Sequence, residues 1–368
     1  MSAGSKRVLL LAGGVSGEHS ISLRSAATVA AALEAAGHSV TLVGVSLEGQ
    51  WLIGELRPLL ERARTELVEV PPRQGRAVTI VNDGTGARLI AIDGTPLDAR
   101  DAHFDVVFPV LHGPGGEDGT VQGLLALAGV PFVGAGCTAS ALAMDKLAMK
   151  SLCAGAGVPQ VEYISAGRDG FDAVARRIEA AFGYPCFVKP ANLGSSVGIS
   201  KVAHAGELAA ALAEARRWDR RVLVERAVDA REIEVAMLGN DDPEISPPGE
   251  ISSRKGFYDF ASKYTDSDDA TLIAPTELEP RALAQIRDVA TRVWELLGCR
   301  GMARADFFVD RANGAVLFNE INTIPGMTRI SMFPRLWAIA GIEPPALYDR
   351  LIRLALETAP SAPTGAAR

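Results

Sequence analysis

Residues Met302 to Met327 read MARADFFVDRANGAVLFNEINTIPGM. Side chains two apart in a strand point the same way. Arg304 and Asp306 therefore share one face of a first strand, and Glu320 and Asn322 share one face of a second. Phe307, Val309, Leu317 and Ile321 supply apolar positions for the opposite face, the alternation of a half-buried sheet. The connection is Arg311-Ala312-Asn313-Gly314. A loop of Ala312-Asn313-Gly314, with Gly314 at positive φ, places Asp306 opposite Glu320 and Arg304 opposite Asn322. A two-residue Asn-Gly turn would shift the register by one and split the polar groups between faces. The longer loop is therefore expected. It gathers oxygen ligands beside a guanidinium, a setting suited to Mg²⁺ and phosphate.

The chain around this hairpin has 368 residues, enough for two or three domains. Its net charge of -7 argues against a general nucleic-acid binder, so local lysines and arginines must do any phosphate binding. Cys137, Cys153, Cys186 and Cys299 are scattered without a CxxC pair and read as reduced thiols. No apolar run reaches the roughly 18–20 residues of a membrane span. Lys6-Arg7 leads directly into a short apolar run that ends at Gly13-Gly14, which is not the layout of a signal peptide. A cytoplasmic protein is expected.

In order, residues 7–11 read as a buried strand, Gly13 to Glu18 as a glycine loop, 20–36 as a helix and 39–45 as a strand, the start of a parallel α/β sheet. Residues 48–100 mix short strands at 77–81 and 89–92 with prolines and glycines and read as peripheral decoration. A strand over 105–111 runs into a second glycine loop, His112 to Gly119, where ligands bind in open α/β sheets. A helix over 120–128 and a strand over 130–134 follow. One alanine- and leucine-rich helix is expected over 141–156, carrying Asp145 and Lys146. Strands at 160–165, 186–189, 199–202 and 222–226 then alternate with helices at 171–182 and 205–217. Within them lies the loop Pro190 to Gly198, small and polar, able to fold its amides over phosphates, with Lys189 at the end of the preceding strand. Strands at 232–238 and 244–251, a polar lid-like loop at 253–270, an amphipathic helix at 280–297, the hairpin, and helices at 332–339 and 346–356 complete the chain. Residues 357–368 are expected to fray.

Taken together, seven stretches resemble the D-alanine–D-alanine ligases of the ATP-grasp superfamily over about residues 6–356. They are Gly13-Gly14-Val15-Ser16-Gly17-Glu18-His19, the His112–Gly119 loop, Met144-Asp145-Lys146, Phe187-Val188-Lys189-Pro190, Gly194-Ser195-Ser196-Val197-Gly198, Tyr258-Asp259-Phe260 with Lys263-Tyr264, and Asn319 to Thr328. The resemblance implies an α/β protein, α+β in its ATP-grasp part, with three domains. These are a Rossmann-like N-terminal domain over 1–140 that binds the first substrate, a central subdomain over 141–225, and a C-terminal subdomain over 226–368 with the lid and the magnesium site. It also implies a cytoplasmic homodimer that binds neither nucleic acid nor membrane.

The implied reaction uses ATP to phosphorylate the carboxylate of one D-alanine. The amine of a second then attacks the acyl phosphate, making the dipeptide of peptidoglycan precursors. Asp306, Glu320 and Asn322 match the family's ligands to two Mg²⁺ ions, with Mn²⁺ as a substitute. Arg304 and the Gly326 amide match the groups that meet the tetrahedral oxyanion. Lys146, Lys189 and Lys263 match lysines on the ATP phosphates, Ser195 and Ser196 lie in the loop that covers them, and Glu225 and Glu232 match residues near adenine and ribose. Glu18 matches the carboxylate that holds the first ammonium, linked through Ser195 to Tyr264. Ser331 matches a position that receives the second substrate's carboxylate. His112 falls among the substrate-binding positions with no step assigned, and a lone histidine is more often structural.

Tyr264 and the lid around it follow the dipeptide-ligase pattern rather than that of D-alanine–D-lactate ligases. A depsipeptide or D-alanine–D-serine ligase is the near alternative, and a non-catalytic ATP-binding module the distant one. A biotin-dependent carboxylase of the same fold lacks a counterpart to Glu18, Ser195 and Tyr264. If Lys189 grips the phosphates, Lys189→Ala raises the KM for ATP and lowers turnover while circular dichroism stays that of the parent. An unchanged ATP dependence would refute that role.

Overall fold

The computed structural model describes residues 4–84, 86–253 and 270–358. The run after Arg7 is buried from Val8 to Gly13 without alternation, because both faces of this strand are covered. β1 (Arg7–Gly13) lies between β2 (Ser39–Val45) and β6 (Val106–Val110), parallel to both, and the helix His19–Ala35 makes the crossover. β3 (Trp51–Ile53), β4 (Arg76–Asn82) and β5 (Ala87–Ala91) complete the first sheet, in the order β5-β4-β3-β2-β1-β6. Residues 48–100, expected as decoration, are therefore the antiparallel half of this sheet. Val68 and Val70 from the same stretch sit in its core. A helix, Arg57–Ala63, forms around Pro58, which is tolerated in a first turn because that N–H has no partner there anyway. The strand expected at 130–134 is reduced to one bridge, Phe132 to Val107.

β7 (Tyr163–Ser165), β8 (Cys186–Pro190), β9 (Ser200–Val202) and β10 (Val222–Arg226) form a second, antiparallel sheet in the order β7-β10-β8-β9. Helices Phe171–Ala181 and Ala205–Trp218 cover it, with Val174, Ile178 and Leu208 fully buried. Ahead of this sheet the single helix expected over 141–156 is two, Cys137–Met144 and Lys146–Gly155. Asp145 leaves helical geometry at ψ 95° and accepts hydrogen bonds on Oδ1 from the amides of Leu147 and Ala148, at 3.1 and 3.0 Å. This is an N-cap, and it makes Lys146 the first residue of a new helix.

The third sheet contains β11 (Ala230–Gly239), β12 (Glu244–Ile245), β13 (Gly249–Ser253), β14 (Ala270–Ile273), β15 (Gly301–Asp310) and β16 (Val316–Asn322). The strand expected at 244–251 is split into β12 and β13 by Pro247-Pro248, which cannot donate to a ladder. The helix Pro280–Leu297 packs Ile286, Val289, Val293 and Trp294 against one face. The last helix, Pro344–Glu357, lies along His19–Ala35, and Tyr348 meets Phe108 edge to face at 6.0 Å. One apolar core thus joins the first sheet to residues of the third, including Leu238 and Met302. No helix among the described residues is long and apolar enough to cross a membrane.

The hairpin reaches its expected pairing by an unexpected route. Asp310 donates to Ala315 O and Gly314 to Asp310 O, both at 2.9 Å, so the loop is residues 311–314, one longer than expected. Gly314 takes φ +70° as expected. From this loop Val309 pairs with Val316 and Phe307 with Phe318. Continued unbroken, that register would set Asp306 against Asn319 and turn Glu320 to the buried face. A β-bulge at Asp306–Phe307 takes up Asn319 as the extra residue, after which Asp306 faces Glu320 and Arg304 faces Asn322. The burial phase shifts with it. Val316 and Phe318 are buried before the bulge and Ile321 after it, while Leu317, expected on the buried face, is only half-buried. Phe318 is fully buried and meets Phe307 edge to face at 5.8 Å. Phe318→Ala should lower the unfolding free energy by about 3–5 kcal/mol in urea titrations. A loss below about 1 kcal/mol would show that the core closes over the cavity.

Candidate active site

The open face of the third sheet concentrates charge. Arg304 donates from Nε and Nη2 to the two oxygens of Asp306, both at 2.7 Å, and its Nε lies 3.2 Å from Glu234. Asn322 donates to Asp306 Oδ2 at 3.2 Å. Glu234 reaches the group because β11 pairs with β15, setting Glu234 against Asp306 and Ala236 against Arg304. Burial disfavours the Arg304 charge, but Asp306 and Glu234 outweigh it and hold the guanidinium pKa well above its ordinary value. Sequence reading missed Glu234. The available signal was its spacing of two from Glu232, which puts both carboxylates on one strand face.

Lys146, at the new helix start, donates from Nζ to Leu193 O at 2.7 Å and lies 3.5 Å from Glu320. Its helix also carries Lys150, one turn on, which sequence reading missed although the i, i+4 spacing sets both on one face. Lys150 Nζ is 2.7 Å from Glu225 Oε1, and Lys189 pairs with the other oxygen of the same carboxylate. Lys189 and Glu225 share a face because β8 and β10 pair Lys189 with Leu223 and Phe187 with Glu225. Burial would raise the Glu225 pKa, but Lys150 and then Lys189 hold it down, at about 2. Lys189 is shifted upward. Burial opposes its charge, and Glu225, Glu320 and Glu232 together prevail. Glu232 is half-buried on β11.

The glycine–serine loop meets the first glycine loop. Ser195 and Ser196 take φ +52° and +61°, and Ser195 Oγ donates to Glu18, 177 residues away in the chain. A Cβ on Gly113 would come within 2.8 Å of Glu18 Oε2, so only glycine leaves room for that carboxylate. The loop's two stems rest on one turn of chain. Asp219 Oδ2 accepts from the amide and the side chain of Asn192 at 2.9 and 2.7 Å, while Gly198 is pressed between Trp218 and Pro190. Arg221, in the same turn, is paired with Asp145, the cap of the Lys146 helix.

His112 is buried with both ring nitrogens facing protein groups. Nε2 is 3.0 Å from Ser25 Oγ and Nδ1 3.6 Å from Glu117. Burial lowers its pKa, but Glu117 and then Glu18 raise it further, and the net shift is upward. Ser25 Oγ also accepts from the Met327 amide at 3.4 Å, so this group ties the first sheet to the segment after the hairpin. There a Cβ on Gly326 would lie 2.9 Å from Ser331 Oγ. That hydroxyl is held by the Thr328 amide at 3.0 Å and the Thr328 hydroxyl at 2.8 Å. Thr328 closed the Asn319–Thr328 stretch in the sequence without a role, and the structure gives it this one. Lys263 and Tyr264 lie outside the described residues.

Glu117, Met144, Lys146, Gly194, Glu320 and Asn322 line one cleft between the sheets. Asp306, Glu320 and Asn322 offer two carboxylates and one amide oxygen on adjacent, paired positions. Among the described residues no group of three or more His, Cys, Asp or Glu could hold a metal. Carboxylate and amide oxygens are hard donors, of the kind that suits Mg²⁺ rather than a transition metal held by imidazole or thiolate.

The family model for the D-ala D-ala ligase N-terminus matches residues 7–135, and that for the D-ala D-ala ligase C-terminus matches residues 152–353. The chain is 43% identical over 360 residues to the D-alanine–D-alanine ligase of Caldicellulosiruptor bescii, covering 95% of each. It is 44% identical over 354 residues to that of Bacillus cytotoxicus, again with 95% of each covered. Among solved structures, the D-alanine-D-alanine ligase from Coxiella burnetii aligns with TM-score 0.81 at 34% identity, covering 96% of this chain and 95% of that one. The VanG D-Ala:D-Ser ligase from Enterococcus faecalis aligns with TM-score 0.81 at 33% identity, covering 95% and 99%. With both halves matched in order on an α/β ATP-grasp architecture, and relatives alike over nearly their full length, the chain belongs to the D-alanine–D-alanine ligase family.

Proposed function

We propose that this protein ligates two D-alanine molecules into D-alanyl-D-alanine, converting ATP to ADP and phosphate through an acyl phosphate, for peptidoglycan precursors. The observation that carries the reading is the Ser195–Glu18 hydrogen bond, which sets a carboxylate suited to an ammonium against the phosphate-type loop. Glu18 holds the first D-alanine by its amine. Lys146 and Lys189, with Lys263, bind the ATP phosphates under the Ser195–Ser196 loop, and Glu225 and Glu232 stand on the nucleotide side. Asp306, Glu320 and Asn322 would hold two Mg²⁺ ions, with Mn²⁺ as a substitute, which when bound would supply positive charge beside the transferred phosphoryl group. Arg304 stays cationic at any working pH and, with the Gly326 amide, meets the oxyanion of the tetrahedral intermediate without exchanging a proton. Ser331, supported by Thr328, receives the carboxylate of the second D-alanine. His112 ties the second glycine loop, through Glu117, to the helix His19–Ala35, through Ser25. The work divides among an N-terminal domain over 1–140, a central subdomain over 141–225 and a C-terminal subdomain over 226–368, in a cytoplasmic homodimer.

The likeness to a D-Ala:D-Ser ligase supports a second reading, in which the second substrate is D-serine. Product analysis at neutral pH, with D-alanine alone and with equal D-lactate or D-serine added, separates the two. D-alanyl-D-alanine should dominate every mixture, and a dominant ester or D-alanyl-D-serine would overturn the proposal. Arg304→Ala should lower kcat by about 10²–10³ while ADP still binds. Undiminished turnover in that variant would overturn the oxyanion role of Arg304.

A further inference from the structure

Lys150 is the buried charge that the proposed chemistry leaves without a task. Its side chain is 1% exposed, and a lysine so enclosed needs a counterion. That counterion is Glu225, itself 3% exposed in its side chain, and Glu225 also carries Lys189 on its second oxygen. One carboxylate therefore serves two ammonium groups, more cation than its own charge requires. The two lysines are not equivalent. Lys189 is 12% exposed, at the end of β8 where the glycine–serine loop begins, whereas Lys150 is sealed beneath. The ammonium groups also lie over different rings, Lys150 at 5.6 Å from Tyr163 and Lys189 at 5.9 Å from Phe187. Of the two, the charge of Lys150 does more to keep Glu225 ionised.

We propose that Lys150 is the permanent counterion of Glu225, a positioning residue that leaves Lys189 free to exchange Glu225 for the phosphate oxygens of the nucleotide. If Lys150 were neutral, any departure of Lys189 would strand Glu225 as a buried, unpaired carboxylate, and that cost would be charged against nucleotide binding. With Lys150 present, Glu225 remains paired whether Lys189 rests on it or on phosphate. The inference rests on the ATP role proposed above for Lys189.

The test compares Lys150→Met, which matches the length of the stem but removes the charge, with Lys150→Arg, which keeps it. In the full-length enzyme Lys150→Met should raise the KM for ATP and the Kd for ADP by about tenfold or more, equivalent to ~1.4 kcal/mol. The KM for D-alanine should move less than about twofold, and Lys150→Arg should return the ATP value to within a few-fold of the parent. A purely structural role would lower stability or active fraction in both variants without singling out ATP. If Lys150→Met fails to fold, Lys150→Gln, which keeps a hydrogen bond but no charge, takes its place with the same expectation. An unchanged ATP KM in the neutral variant, alongside a raised one in Lys189→Ala, overturns the counterion role alone. An unchanged ATP KM in Lys189→Ala overturns that role together with the phosphate reading of Lys189.

Discussion

The alignment of Glu320 and Asn322 with Asp306 and Arg304 depends on one extra residue. The loop at 311–314 starts β16 in a register that would pair Asp306 with Asn319, and the bulge at Asn319 resets it. Only then do Glu320 and Asn322 join Asp306 and Arg304 on the face opposite Phe307 and Ile321. Because the side-chain period of a strand is two, a shift of one residue is the difference between a magnesium-type donor set and a carboxylate driven into an apolar core. The bulge also costs a ladder pairing, and the edge-to-face contact of Phe307 and Phe318 beside it supplies packing that holds the strands together there.

The site gathers more charge than a protein interior usually tolerates, and it does so by sharing counterions. Arg304 lies between Asp306 and Glu234, Glu225 between Lys150 and Lys189, and Lys146 beside Glu320. Isolated, each of these would lose its charge or its burial. Shared, they keep their charges and remain able to trade partners for phosphate, carboxylate or metal. Two of the elements that deliver them are fixed by a single small turn. Residues Trp218 to Arg221 hold both stems of the glycine–serine loop and, through Asp145, the start of the helix that carries Lys146 and Lys150.

The first sheet contributes a carboxylate and a frame. Glu18 reaches the glycine–serine loop through Ser195, and His112 and Ser25 tie the same sheet to Met327 just beyond the hairpin. Residues from the start, middle and end of the chain are thereby brought against one cleft. The shared apolar core of the first sheet and the C-terminal helix Pro344–Glu357 keeps these contacts in place, since neither surface is covered without the other.

Residue types, and most of their local facing, were legible in the chain alone. The alternation around Arg304 and Asp306, the glycine loops at Gly13 and Gly194, and the helix periodicity over 280–297 are local properties, and local geometry obeys them. The break at Asp145 and the split at Pro247-Pro248 were also written there, as a capping residue and a missing donor. Tertiary structure decided what has no sequence period. Whether residues 48–100 extend a sheet depends on which edge of β2 is free, and the bulge at Asn319 depends on what faces it across the ladder. The importance of Lys150 and Glu234 depends on partners 75 and 70 positions away, 225 less 150 and 304 less 234. A buried charge acquires its meaning only from the opposite charge that the fold brings to it.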